Sequence, residues 1–219
     1  MGLAKKLRDL TQQGNKEKWA AYRADALAAS LGLTLVSGDP ATNFLIDLPG
    51  RYADVASGAR SARRDQESLD LLMQGTYDGR AAELVWRDGA SKKWGVLVDT
   101  ITYAYDARLS IACRSTQPPL EILNRERTPA MTPTPMLDAP PQPFGDPRLD
   151  GTWDLRGGPP GIGPRLVDAV LPMAPVEWIH VLWDGEHVSY VLHPYSTYGL
   201  GQGPAILASL GAIARVLES

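Results

Sequence analysis

The spacing of hydrophobic positions predicts helix in the first thirty residues of the chain. Hydrophobic residues recur there every three to four positions. This helical spacing is interrupted at Gly14-Asn15, resumes, and ends at Leu31-Gly32. We therefore expect residues 1–31 to form an N-terminal helical segment. Its repeating apolar positions are Leu3, Leu7, Leu10, Trp19, Tyr22, Ala26 and Ala29.

Beyond this segment the pattern changes towards a period of two, which is typical of β-strands. Leu33–Val36 is a first candidate strand, and Asp78-Gly79 is a hairpin turn of the kind that requires positive φ. Short turns between consecutive strands favour an antiparallel meander, because parallel neighbours need long crossovers. The further candidate strands are Leu69–Tyr77, Arg80–Arg87, Lys93–Tyr105, Arg108–Arg114 and Leu120–Asn124.

The segment 127–147 interrupts this pattern with seven prolines. Proline cannot donate to a strand ladder or continue a helix, so we expect a long extended linker or crossing arm, ordered only where it touches a sheet or another chain. Regular elements then resume. They are a strand at Gly151–Leu155, a helix at Pro164–Met173, a hairpin of Val176–Trp183 with His187–His193, and a helix at Pro204–Glu218.

Together these elements predict an α+β fold. It consists of a mainly antiparallel sheet, made of a meander plus a second hairpin, with N-terminal and C-terminal helices. We expect residues 32–219 to form one domain that carries the Pro-rich arm at 127–147.

Three short stretches of turn and core residues occur in a recognisable order: Gly75-Thr76-Tyr77-Asp78-Gly79-Arg80, Pro119-Leu120-Glu121-Ile122, and Leu166 to Pro172. With the terminal helix from Pro204, this order resembles an uncharacterised family of bacterial domains of unknown function. The resemblance spans roughly residues 31–218. It implies a fold more than an activity, because no catalytic residues belong to the pattern. Relatives often carry membrane helices, whereas no window of this sequence approaches the ~20 apolar residues that a membrane helix needs.

Composition narrows the classes of function. Of the 219 residues 44% are hydrophobic and 21% are charged, and the net charge of −3 provides no basic face for nucleic acid. Cys113 is the single cysteine, which excludes an internal disulfide and a cysteine metal cluster. Its apolar surroundings indicate a buried, inert thiol. The first ten residues lack a signal-peptide core, so we expect a cytoplasmic protein.

All three histidines lie in the second hairpin. A two-residue turn at Asp184-Gly185 would place His180 opposite Ser189, make His187 its diagonal neighbour, and leave His193 far away. We expect His180 and His187 to be half-exposed, and two imidazoles are too few for a zinc site. No metal or cofactor is therefore predicted. The opposite, core face would hold Ile179, Val181, Trp183, Val188, Tyr190 and Leu192.

No catalytic set is legible in the sequence. The glycines at 199–203 precede a helix but lack a Walker lysine, and no Gly-x-Ser-x-Gly occurs. We therefore expect a non-enzymatic protein-binding or assembly component of a bacterial cytoplasmic system, acting on a protein partner or by self-association. Trp86, Trp94 and Trp178 would mark the partner surface if they are exposed. The alternative is a small-ligand-binding protein or hydrolase that uses the His180/His187 face of the sheet.

Overall fold

The computed structural model describes residues 20–42, 71–87, 106–124, 135–176, 179–192 and 201–219. Within these ranges the helices are α1 (Ala24–Leu31), α2 (Gly163–Val170), a short 3-10 helix (Leu171–Met173) and α3 (Gly203–Glu218). The strands are β1 (Leu33–Ser37), β2 (Leu71–Tyr77), β3 (Arg80–Arg87), β4 (Asp106–Ala112), β5 (Leu120–Asn124), β6 (Pro141–Gln142), β7 (Trp153–Gly157), β8 (His180–Trp183) and β9 (His187–Val191).

The nine strands form one antiparallel sheet in the order β1-β2-β3-β4-β9-β8-β5-β7-β6. This confirms the predicted α+β class with helices near both ends of the chain. The meander is shorter than predicted, since β5 pairs with β7 and β8 rather than with β4. The second hairpin, β8–β9, lies between the two groups of strands. The predicted helix before Ala20 and the predicted strand Lys93–Tyr105 lie outside the described residues.

The alternation of side chains gives the sheet one apolar face and one polar face. One cross-strand row on the apolar face runs through seven consecutive strands with no measurable exposure. This is the helix face, because α3 packs on it across β4 and β9 and in turn contacts α1 and α2. The row contains Met73, Leu84, Leu109, Tyr190, Val181, Ile122 and Leu155.

The two ends of α3 are fixed by different means. At its beginning, a Cβ on Gly203 would lie 2.7 Å from the Leu31 side chain, so only glycine permits this approach to α1. At its end, the Glu218 carboxylate accepts a 2.8 Å hydrogen bond from the Arg114 backbone N–H and pairs with the Arg80 guanidinium. The last turn of α3 is thereby fastened to β3 and to the residues that follow β4.

Residues 135–144, which we call the proline arm, lie along the far edge of the sheet. Pro141 and Gln142 form β6 and pair with β7, and Phe144 is fully buried at the end of the arm. The prolines were predicted to prevent ladder pairing. Pro141 is nevertheless accommodated in β6, because an edge strand uses backbone N–H donors for pairing on only one of its two sides. Residues 127–134 lie outside the described residues.

The helices of the described ranges are short. The longest of them, α3, has 16 residues, and none combines the length and apolar character needed to cross a lipid bilayer.

Candidate functional site on the polar face of the sheet

The polar face carries a cross-strand row of its own, displaced by one residue from the apolar row. It crosses all nine strands through directly paired residues and gathers two carboxylates, a guanidinium, an amide and three hydroxyls. The row is Thr34, Gln74, Glu83, Ser110, Ser189, Leu182, Glu121, Arg156 and Pro141. Its centre is buried, so these polar groups must find partners within the protein.

Glu121 is the most buried charged residue of this row, with 0% exposure. Its Oε1 lies 2.7 Å from Nε2 of His180, which is itself 2% exposed. The Met136 backbone N–H donates to the same oxygen at 2.8 Å, and the Leu137 N–H donates to Oε2 at 3.1 Å. Both carboxylate oxygens are therefore satisfied by donors from β8 and from the proline arm.

The hydrogen bonds determine the protonation of Glu121. Burial by itself raises the pKa of the carboxyl, but the hydrogen bonds from His180 and from two backbone N–H groups lower the pKa further than burial raises it. Glu121 is consequently ionised at neutral pH. Because an ionised carboxylate has no proton to donate, His180 carries the shared hydrogen on Nε2.

The histidine prediction was correct for the face and for the half-exposed His187, and wrong for the register and for His180, which is buried; His193 lies outside the described residues. In the structure Leu182, not His180, is opposite Ser189, because Gly185 and Glu186 form the centre of the turn. His187 thus lies opposite Asp184. His180 precedes Asp184 by four residues, which is roughly 13 Å along the strand, so the two histidines are not diagonal neighbours. The predicted core side is confirmed, and Ile179, Val181, Trp183, Val188, Tyr190 and Leu192 are all buried.

The turn itself explains the changed register. The Asp184 side chain accepts hydrogen bonds from the backbone N–H groups of Glu186, at 2.9 Å, and of His187, at 2.8 Å. Asp184 therefore precedes the turn and caps it instead of occupying its centre. Gly185 follows with a φ of 107°, a conformation that L side chains disfavour.

His187 lines a shallow cleft on the polar face with a volume of about 110 Å³. The floor is the buried hydroxyl pair of Ser110 and Ser189, whose oxygens are 2.9 Å apart. Positively and negatively charged side chains line the sides of the cleft, and the Arg108 guanidinium lies 3.9 Å from the Asp184 carboxylate. Small-molecule sites usually measure ~300–1,000 Å³, so this cleft is too small for a drug-sized ligand. The lining residues are Glu83, Val85, Arg108, Ser110, Asp184, His187 and Ser189.

Cys113 lies in the core at 5% exposure, and its Sγ is 3.8 Å from the Ala214 carbonyl oxygen. Burial and the neighbouring Glu218 carboxylate raise the pKa of the thiol to about 12. A thiol with such a pKa is protonated at neutral pH and is a poor nucleophile, as the sequence indicated. Among the residues that the structure describes, no group of three or more His, Cys, Asp or Glu side chains is placed to hold a metal ion.

The tryptophans predicted as partner residues fall in two classes. Trp86 is 4% exposed and belongs to the core, so its ring cannot form the exposed surface that the prediction required. Trp94 and Trp178 lie outside the described residues. Large exposed hydrophobic side chains in the described ranges are instead Val36, at 55%, and Met136, at 53%.

Val36 belongs to β1, which ends the sheet opposite the proline arm. The strand is uncharged and free of proline, in contrast to β6 at the other edge with its two residues and Pro141. A bulge between Leu35 and Ser37 is its one irregularity. Edge strands present unpaired backbone donors and acceptors, and charges, prolines or bulges commonly prevent them from pairing with other chains. The bulge in β1 follows Leu35, so Leu33–Leu35 is its regular, unprotected part.

Comparisons with known proteins place this chain in no family. No protein-family model matches the sequence, and no curated protein matches it. Among solved structures the chain is similar to the mycobacterial trehalose monomycolate transport factor A, TtfA. That similarity has 11% sequence identity and a TM-score of 0.48, and it covers 89% of this chain and 92% of that chain. Similarity at this level does not bear on function.

Proposed function

We propose that this chain is a non-enzymatic protein-binding or assembly component of the bacterial cytoplasm, and that it binds through the β1 edge of its sheet. One observation carries the proposal: within the described residues no strand lies beyond β1, and Val36 is exposed there. An open edge strand without charge or proline is a typical place for another chain to add a strand, and Val36 marks this edge.

The mode of binding would be addition of a strand. An extended segment of another chain can pair with the outer backbone groups of Leu33–Leu35, while its side chains alternate between the two faces. Thr34 would meet its side chains on the polar face, and the exposed Val36 side chain lies in the bulge that follows. The absence of charge in β1 favours an uncharged partner strand rich in β-branched residues. The partner strand would come from another protein or from a second copy of this chain.

The groups that could have carried chemistry support a binding role over catalysis. His180 is bonded to Glu121 away from solvent, and the raised pKa of Cys113 keeps its thiol protonated. His187 remains on a cleft of about 110 Å³. A small-ligand or hydrolytic function would have to operate in that cleft without His180.

We expect Val36→Lys to abolish association, because a lysine on an edge strand opposes pairing with another strand. Met136→Lys is the matched control, since Met136 is equally exposed but lies on the proline arm. Sedimentation velocity at two concentrations would report self-association. Photo-crosslinking in cells from position 36, compared with position 136, would report a different partner.

A second copy would appear as a concentration-dependent dimer that Val36→Lys removes and Met136→Lys retains. Another protein would appear as adducts from position 36 that are absent from position 136. If both substitutions leave the association unchanged, or if the protein stays monomeric with no adduct specific to position 36, the edge is not a binding surface and the proposal is wrong.

A further inference from the structure

We propose that Glu121 is a latch that fastens the proline arm to the sheet, and that loss of its charge releases the arm while the sheet remains folded. The arm would then be a separate unit of local opening in the native state. This inference does not depend on the proposed function of β1, which lies at the other edge of the sheet.

The contacts of the Glu121 carboxylate bridge the two parts of the molecule. From the arm, Met136 and Leu137 donate their backbone N–H groups at 2.8 and 3.1 Å. From the sheet, His180 donates to the carboxylate at 2.7 Å. A fully buried carboxylate thus forms the connection, and hydrogen bonds to a charged acceptor are about twice as strong as those between neutral groups.

Among the described residues, the other hydrogen-bonded attachments of the arm before Phe144 are few. Two residue pairs join β6 to β7, the Arg156 guanidinium donates to the Ala139 carbonyl at 2.9 Å, and the Gln142 side chain donates to the Gly157 carbonyl. Met136 is 53% exposed and contributes little apolar burial. Phe144 anchors the end of the arm and Leu137 is half-buried beside Gly157, so the part that should open once its main hydrogen bonds are lost is the stretch 136–142, which has few ladder bonds.

The charged groups around the latch come from three described elements. His180 is on β8, Arg156 and Asp154 form a 3.5 Å ion pair on β7, and Asp138 is an exposed residue of the arm. Because hydrogen bonds hold the pKa of Glu121 below its usual value, its contribution to stability is present above the pKa of the unfolded chain. The contribution is lost as the pH falls through the folded-state pKa, so acid should release the arm.

Release would uncover part of the sheet that the arm occupies. The outer backbone groups of Leu155 and Arg156 pair with β6 in the closed state. An open arm leaves these groups unpaired at the end of the sheet, where a strand from elsewhere could replace β6.

The test is hydrogen–deuterium exchange of the full chain at neutral pH with the variant Glu121→Gln. A glutamine keeps the size of the side chain but directs its NH₂ group at one of the donors, so the three contacts cannot all survive. We expect exchange in residues 136–142 to become at least tenfold faster, while peptides from β4, β8 and β9 keep their protection. Glu83→Gln, in the same cross-strand row but without contact to the arm, should leave exchange in the arm unchanged.

A second variant alters the arm and leaves Glu121 in place. Leu137→Pro removes one donor and changes no residue of a strand, and it should accelerate exchange in the same residues. The inference is wrong if the arm of Glu121→Gln exchanges as slowly as that of Glu83→Gln. It is also wrong if the arm and the sheet strands lose protection together, or if Glu121→Gln fails to fold while Leu137→Pro leaves the arm protected.

Discussion

The turn at Asp78-Gly79 illustrates how single residues determine backbone geometry in this chain. Both residues have positive φ, 50° for Asp78 and 73° for Gly79, and this combination matches the twist of the flanking strands β2 and β3. A Cβ at position 79 would meet no atom within 4 Å. The requirement for glycine is therefore conformational and not steric crowding by neighbours.

We predict that Gly79→Val lowers the free energy of unfolding by about 1–2 kcal/mol, because a β-branched residue resists the left-handed region. Gly79→Asn is the control and should lose less, since asparagine tolerates that region. Urea denaturation of the three proteins measures the difference. Equal stability of the valine variant and the wild type would mean that positive φ at this turn has no energetic weight.

At the same scale, Glu121 shows the limit of local patterns. It lies between Leu120 and Ile122 in a strand, where alternation assigns it to a face opposite the core. Nothing near it in the sequence indicates full burial, because its partners are 15, 16 and 59 residues away. The same limit applies to His180. Alternation along the strand predicted its face correctly, but its burial depends on Glu121, 59 residues away, and was not predicted.

At the scale of elements, the boundaries of strands and helices were largely predictable from the sequence, whereas the pairing of the strands was not. β5 was predicted at its observed bounds, and α3 within one residue. The β8–β9 register was wrong because Asp-Gly has two common positions in a turn, and the side-chain bonds of Asp184 select the second of them. The pairing of β5 with β8 has no local signal, since it depends on closing a long loop.

The last turn of α3 offers a test at the element scale. Burial raises the pKa of Glu218, but the Arg114 N–H and the Arg80 guanidinium lower it further. We expect Glu218→Gln to reduce the free energy of unfolding by about 0.5–1 kcal/mol at neutral pH, because one charge-assisted contact is lost. Since the folded-state pKa is lowered, the difference from the wild type should shrink as the pH falls through that pKa.

Asp25→Asn provides the control for this prediction. Asp25 also pairs with an arginine, Arg23, but on the open surface of the first helical turn, where solvent screens the pair, so its removal should cost less stability than removal of the Glu218 charge. Denaturation curves at several pH values compare the two variants. A pH-independent loss in Glu218→Gln would show that the carboxylate acts through its shape and not its charge.

In the described ranges, one buried hydrophobic core joins strands from the first half and the second half of the chain. Ile111 of β4 and Ile122 of β5 belong to the same buried cluster, although the hairpin β8–β9 separates their strands. The predicted class and the two chain-terminal helices follow from patterns along the sequence. The insertion of the hairpin does not, because any of several strand orders would bury the same apolar faces.

We predict a single cooperative unfolding transition. Ile111→Ala and Ile122→Ala should each lower the free energy of unfolding by about 2–5 kcal/mol, the usual range for buried isoleucines. In each variant, far-ultraviolet circular dichroism and tryptophan fluorescence should report the same lowered urea midpoint. Midpoints that separate between the two probes would indicate two independently unfolding groups of strands.

The central position of β9 has a consequence for the protein during its synthesis. Ser110 and Ser189 face each other across β4 and β9, yet they are 79 residues apart in the chain. At about 5–20 residues per second, β4 leaves the ribosome between about 4 and 16 s before its neighbour exists. Throughout that interval β4 can pair with β3, but the edge that β9 will cover stays open and its apolar face lacks that neighbour. Slow codons or a stalled ribosome within residues 113–186 would prolong that exposure and increase the need for a chaperone.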